Sequence, residues 1–166
     1  MNKEKIILSI ISWLTVIISI AMIMNFSSES GEESNSTSSE VVDSIIEVLP
    51  NGDNITPVQK NNLKFSVRKL AHFGIYMLLG FCLINAVCIT FSVRKLFAYL
   101  VSFPLPFLYA VFDEFIIQNK TLGRAPQWLD VGIDYLGAIC GMLLYILFTL
   151  SYSFLLKKIA KKRKSN

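Results

Sequence analysis

The chain has 166 residues, of which 53% are apolar and 17% charged, with a mean hydropathy of +0.52 and a formal net charge of +4. A soluble domain carries about 25% charged residues and about 45–50% apolar ones, so this chain lacks the polar residues that a water-facing surface needs. Since about 20 apolar residues cross a bilayer, the composition fits four spans and excludes a soluble enzyme, a disordered tail and a disulfide-rich secreted domain.

The first apolar run extends from about Ile6 to Met24, behind the charged start Met-Asn-Lys-Glu-Lys. It is longer than the ~7–15 residues of a signal-peptide core and no A-x-A site follows it, so it reads as an uncleaved anchor. Ser27 to Ser39 is rich in serine and glutamate without apolar periodicity, which predicts an exposed linker. Thr37-Ser-Ser-Glu40 fits a capping box ahead of Val41, Val42, Ile45, Ile46, Val48 and Leu49. These apolar positions share one face of a short amphipathic helix, opposite Asp43 and Glu47, and Pro50-Asn-Gly-Asp53 stops it. Such a helix is expected on the outer membrane surface or over the bundle.

Thr56-Pro57-Val58-Gln59 starts another helix with proline at its first position. It is expected to run through Lys69 into the second span, about Leu70 to Phe91. The third span, about Leu96 to Ile117, contains Phe103-Pro104-Leu105-Pro106-Phe107, which predicts a bend. The fourth, about Val131 to Leu156, carries Gly137-Ala-Ile-Cys-Gly141, a smooth face for close helix approach within the bundle. Cys82, Cys88 and Cys140 lie inside apolar runs without CxxC spacing, as small buried side chains rather than a disulfide or zinc framework.

Lysine and arginine placement sets the topology. With the N-terminus cytoplasmic, ten of the sixteen basic residues fall inside: Lys3, Lys5, Arg94, Lys95 and the tail Lys157, Lys158, Lys161, Lys162, Arg163 and Lys164. Eleven of the twelve acids fall outside. The net +4 is thus +9 inside, from ten bases and one acid, and −5 outside, from six bases and eleven acids. The basic tail is a topology anchor at an anionic inner leaflet rather than a nucleic-acid site. The expected fold is an all-α membrane protein, a four-helix transmembrane bundle with both termini cytoplasmic. Residues 1–156 form the membrane domain, 25–69 its outer loop with surface helices, and 157–166 a basic cytoplasmic tail.

Ionisable residues cluster at the outer ends of spans two, three and four. Arg68, His72 and Tyr76 recur every four residues on one helical face. Asp113 and Glu114 are adjacent, with Gln118 one turn beyond, and the connecting loop adds Arg124. Span four opens with Asp130 and Asp134. An ionisable residue near a membrane-helix centre costs about 2.5–3.5 kcal/mol on insertion scales, and less toward the interface. Such groups pair, face the bundle interior or line a wet cavity. Two readings follow: a structural network in which Arg68 and Arg124 neutralise the carboxylates, or a cavity open to a ligand. His72, the only histidine, could form a proton-transfer pair with Asp113 or Glu114. HExxH and GxSxG are absent, so neither a metal nor a serine nucleophile is signalled, and no cofactor is expected.

Arg68-Lys69-Leu-Ala-His72-Phe73-Gly-Ile-Tyr76, Asp113-Glu114-Phe-Ile-Ile-Gln118, Gly123-Arg124, and Asp130-Val131 with Gly137 together resemble the VanZ-like family. Phe26-Ser27-Ser28 after the first span also resembles its pattern, and the resemblance covers about residues 10 to 150. Two departures stand out: Pro126 and Gln127 where a serine is frequent, and Asp134 where many members have asparagine. The resemblance implies a small multi-span protein of the bacterial plasma membrane. The family is named for an accessory protein of teicoplanin-type glycopeptide resistance.

The first functional expectation is an envelope protein whose outward polar cavity holds a charged lipid-linked cell-wall precursor or anionic polymer anchor. Its ligand-binding candidates are Arg68, Lys69, His72, Tyr76, Asp113, Glu114, Gln118, Arg124, Asp130 and Asp134. Arg68, Lys69 and Arg124 would take phosphate, for which arginine's planar fork is suited. The alternatives are an intramembrane hydrolase or transferase using His72 with Glu114 or Asp113, and a scaffold whose polar network only locks the bundle. Membrane lipids are the general partners in all three.

Overall fold

The computed structural model describes residues 3–49, 54–91 and 95–165. Among them the chain is helical, with no strand. In order it forms α1 (Lys3–Ser28), α2 (Gly31–Val48), α3 (Pro57–Phe91), α4 (Lys95–Ser102) and α5 (Pro104–Phe112). A π-helical turn (Asp113–Ile117), a 3-10 turn (Gln118–Lys120) and α6 (Trp128–Ser165) complete it. Four stretches are long and apolar enough to cross a membrane: Lys3–Ser28, Pro57–Phe91, Leu96–Lys120 and Trp128–Lys161. The four expected spans are present, and α3 and α6 run well past them. The Pro50-to-Asp53 stop and Arg94 lie outside the described residues.

The helices turn polar or small faces inward and aliphatic faces outward, as a lipid solvent dictates. On α1, Ser9, Ser12, Ser19 and Ser27 are buried, while Ile7, Ile10, Ile17 and Ile18 are exposed. Two of the buried hydroxyls, those of Ser9 and Ser12, find partners on α3. Ser9 Oγ lies 2.5 Å from Thr90 Oγ1, Trp13 Nε1 donates to the same oxygen at 2.9 Å, and Asn85 Nδ2 donates to Ser12 Oγ at 3.2 Å. Cys82, Cys88 and Cys140 form no disulfide; Cys82 is buried and the other two are half-buried.

Helix α3 is the centre of the bundle and packs against α1, α2, α4 and α6. Its cap follows from sequence: the Thr56 N–H donates to Gln59 Oε1 at 2.8 Å and the Gln59 N–H returns to Thr56 Oγ1 at 3.3 Å. From there it continues unbroken into the span. Glycine sets its distance from α6. A Cβ on Gly137 would fall on the Phe73 carbonyl, one on Gly141 on the Met77 carbonyl, and one on Gly80 on the Ala138 carbonyl. The GxxxG face is therefore consumed inside the bundle.

The connecting segment departs from expectation. Helix α2 begins seven residues before the predicted short helix, and Ser27 to Ser39 is not a linker. The capping box is Ser30 with Glu33, not Thr37 with Glu40: the Glu33 N–H donates to Ser30 Oγ and the Ser30 N–H to Glu33 Oε2. Those bonds hold the Glu33 carboxyl below the ordinary carboxylate range. The serine-rich stretch stays helical because its hydroxyls back-bond to carbonyls one turn earlier, Thr37 to Glu33, Ser38 to Ser34, Ser39 to Asn35 and Ser44 to Glu40. Ser34, Ser38 and Val42 are buried, and α2 runs antiparallel along the first half of α3, with Lys60 paired to Asp43 at 2.5 Å. Its N-terminus docks on the loop before α6, where the Gly31 N–H donates to the Leu122 carbonyl at 2.9 Å and Gly123 turns with φ of +77°.

The third span breaks where the prolines predict. Helix α4 ends at Ser102 and α5 starts at Pro104, since Pro104 and Pro106 remove two backbone donors.

Filling the α3–α6 contact forces the helices apart, and overpacking costs about 1–3 kcal/mol. Gly137→Ala and Gly141→Ala should each lower Tm in detergent. Gly132→Ala, whose Cβ meets nothing within 4 Å, should leave it unchanged.

Candidate functional site

The sequence places its charges at helix ends, and the fold brings those ends together. The last turn of α1, the Arg68–Tyr76 stretch of α3, the π turn after α5, the following loop and the first two turns of α6 meet at the end of the bundle opposite both termini. The π turn decides the geometry. Its wider winding, closed by the Gln118 N–H on the Asp113 carbonyl, turns the adjacent Asp113 and Glu114 inward together. Their exposures are 0% and 1%. Single π turns of this kind are frequent at functional sites.

Asp113 is the most heavily bonded group. Its Oδ2 accepts from Ser27 Oγ at 2.8 Å, from Tyr76 OH at 3.3 Å and from Gln118 Nε2 at 3.3 Å. Its other oxygen, Oδ1, is buried with no hydrogen-bond partner. Asp134, 1% exposed, faces His72 across α3 and α6, with His72 Nδ1 3.7 Å from Asp134 Oδ1. Asp134 Oδ2 is likewise buried and unpartnered. Ligating atoms of His72, Asp113 and Asp134 lie within 4.8 Å of one another.

Around this trio the remaining charges divide into engaged and free. Lys69 forms an ion pair with Asp130 and rests on the Phe65 ring, 5.0 Å from its centroid. Glu114 accepts from the Gln127 N–H at 2.8 Å and so anchors the start of α6. Arg124 donates to Gln118 Oε1 at 3.0 Å and to the Phe26 carbonyl at 3.2 Å, tying the loop to α1. Burial pushes the Arg124 guanidinium below its ordinary pKa, with the Arg68 charge adding to the effect; an arginine stays a cation even so. Among the described residues, neither Arg68 nor Arg124 makes an ion pair with a carboxylate. The structural-network reading, in which both arginines pair with the acids, thus finds no direct pair among these residues, although Arg124 stands near enough to Asp113 and Glu114 to interact with their charge. Arg68 is half-buried and makes no hydrogen bond or ion pair among the described residues.

Arg68 and His72 also border two cavities. One, of about 280 Å³, is an apolar groove between α2 and α3, walled by Phe26, Val41, Val67, Ala71 and Ile75. The other is a narrow polar cleft between α3 and α6 that also touches Lys69, Gln118, Asp130 and Asp134. All ten residues expected from the sequence lie at this one end. Of the two partners expected for His72, Asp113 lies beside it, with donor atoms within 4.8 Å, and Asp134 joins them as a neighbour not paired with it in the expectation. Ser27 and the Gln127 backbone were not foreseen. The Phe26-Ser27-Ser28 motif marked Ser27's position, whereas a backbone N–H leaves no trace in sequence.

The VanZ/LLP1 family model matches residues 12–149. The chain belongs to the VanZ/LLP1 family. The matched region contains the whole cluster, from Ser27 to Asp134, together with the glycine contact of α3 and α6. No curated protein and no solved structure gives a significant match. In this VanZ/LLP1 protein the site therefore rests on its own geometry.

The Lys69–Asp130 pair offers a test of which charges are structural. Both side chains keep about an eighth of their exposure (13% and 14%), so Asp130→Ala should cost at most about 3 kcal/mol by stranding Lys69. The double variant Lys69→Met/Asp130→Leu should recover most of that loss in a thermal melt.

Proposed function

We propose that the protein is an envelope membrane protein that binds an anionic amphiphile at the outer leaflet, its head at Arg68 and His72 and its chain in the α2–α3 groove. The lipid-linked cell-wall precursors and anionic polymer anchors expected from the sequence have this chemistry. The observation that carries the reading is the position of Arg68: half-buried, without a hydrogen bond or ion pair among the described residues, and on the wall of both an apolar groove and a polar cleft. A guanidinium held out of bulk water without a partner suits a phosphate, which it binds bidentately. Lys69 and Arg124, already engaged, shape the site's field. The outward orientation rests on the segregation of ten basic residues to the opposite end, which in a bacterium places this end outside the plasma membrane. A protein that holds a wall precursor there would change how that precursor is presented, and this connects the reading to teicoplanin-type resistance.

A second reading is an intramembrane hydrolase or transferase. It is favoured by His72 standing against Asp134 with Asp113 close by, a pairing suited to proton transfer.

Binding of a polyisoprenyl phosphate in phosphatidylcholine nanodiscs separates these claims. Arg68→Gln should weaken binding about 10-fold or more, as expected for losing a charge-assisted bidentate contact, while Lys157→Gln on the exposed tail should not. Equal affinity for both variants would sink the reading. Release of phosphate or diphosphate, seen by mass spectrometry and lost in His72→Gln, would favour the enzyme instead. In a susceptible Gram-positive host, wild type should raise the teicoplanin inhibitory concentration and Arg68→Gln at matched membrane levels should not.

A further inference from the structure

The trio of His72, Asp113 and Asp134 poses a charge problem that the protein groups leave open. Asp113 and Asp134 are buried at 0% and 1% exposure, and each keeps one carboxylate oxygen with no donor. Glu114, at 1% exposure, adds a third buried carboxylate with an unpartnered oxygen. Among the described residues no cation bonds to these oxygens: Lys69 is paired with Asp130, Arg124 donates to Gln118 and the Phe26 carbonyl, and Arg68 lies in the cleft without an ion pair. Two unpartnered oxygens on buried side chains, with an imidazole beside them, are donor types that a divalent ion takes.

We propose that His72, Asp113 and Asp134 bind a single divalent transition-metal ion. The donor atoms lie within 4.8 Å of one another, and small side-chain adjustments bring such atoms to metal–ligand bonds of about 2.0–2.2 Å. The surroundings are those of ligand-orienting groups. Ser27, Tyr76 and Gln118 all donate to Asp113 Oδ2, which fixes the carboxylate and leaves Oδ1 as the free donor. Partners of this kind set the orientation and basicity of metal ligands. The three ligands come from three separate helical segments, so no HExxH-like spacing announces them, and the expectation of no metal drawn from spacing has no force against this geometry.

One imidazole nitrogen and two carboxylate oxygens suit Mn2+, Fe2+ or Zn2+, whereas Ca2+ and Mg2+ favour all-oxygen sites and Cu+ favours sulfur. Three protein ligands leave coordination positions open, the arrangement of metal sites that take water or substrate rather than purely structural ones. His72 and Asp134 both border the polar cleft that contains Arg68, so the ion and the guanidinium together would face an anionic group. The ion site stands on the trio alone and does not require the amphiphile.

Because His72 is the only histidine in the chain, imidazole coordination has a unique spectroscopic signature. The tag-free full-length protein in detergent, stripped with chelator and titrated with MnCl2, is followed by electron paramagnetic resonance. The expected result is saturable binding of about one Mn2+ per chain, with electron spin-echo modulation from an imidazole nitrogen. Asp113→Asn and Asp134→Asn should each weaken Mn2+ about 10-fold or more, and Tyr76→Phe by less. Asp43→Asn, at the surface pair with Lys60, should leave binding unchanged. No saturable binding, saturable binding without the nitrogen modulation, or full affinity in both aspartate variants would each overturn the proposal. The wild-type nitrogen signal needs no variant to fold, and the experiment contains no added lipid phosphate, so its failure leaves the amphiphile reading to its own test.

Discussion

A carboxylate with no exposure, at the end of a membrane helix, is the constraint around which this fold is arranged. Asp113 cannot be buried unless donors reach it, and they come from three parts of the chain: Ser27 at the end of α1, Tyr76 on α3 and Gln118 at the close of the π turn. Each donor specifies a neighbour. The Ser27 bond fixes where α1 ends, the Tyr76 bond sets the rotation of α3, and the π turn winds the chain so that Gln118 lies beside the residue five positions earlier. Arg124 extends the chain of bonds through Gln118 to the Phe26 carbonyl, closing a ring from α1 through the loop and back. The loop that enters α6 is held by Glu114 through the Gln127 N–H.

The opposite requirement governs α3 and α6 beyond their polar ends, where they must come close without polar help. Glycine carries that contact, at Gly80, Gly137 and Gly141, in a solvent where packing rather than hydrophobic burial drives helices together. One consequence is that His72 and Asp134, on the two helices, face each other within 3.7 Å. A second is that α3, long and continuous, has its first half free to receive α2. The apolar groove between them is lined on α2 by the small side chains of Ser34 and Ser38, the latter donating to the Ser34 carbonyl, and on α3 by Val67, Ala71 and Ile75.

Much of this was legible in sequence because membrane helices obey composition so directly. The four spans follow from apolar runs, the break in the third from Pro104 and Pro106, the start of α3 from Thr56-Pro57-Val58-Gln59, and the close contact from Gly137 and Gly141. The convergence of ten polar residues on one end follows from counting spans. Helix α2 was misjudged because serine reads as a loop former, although its hydroxyls can be satisfied by the preceding turn; Ser30-Gly-Glu-Glu33 carried the correct capping signal. Pairings were the least legible. Sequence spacing relates residues on one helix, whereas Asp113 with Ser27, His72 with Asp134 and Lys69 with Asp130 each join different helices. The π turn, a change in winding without a compositional mark, could not be read at all.

The account depends most on the groove between α2 and α3 being the place where an anionic amphiphile lies. Photo-crosslinking tests it directly, with a diazirine-bearing polyisoprenyl phosphate in nanodiscs and the labelled peptides mapped by mass spectrometry. Labels concentrated on Val41, Val67, Ala71 and Ile75, and lost in Arg68→Gln, are the predicted result. Labels spread evenly over lipid-facing residues such as Leu144, Leu147 and Phe148 of α6, unaffected by Arg68→Gln, would contradict it.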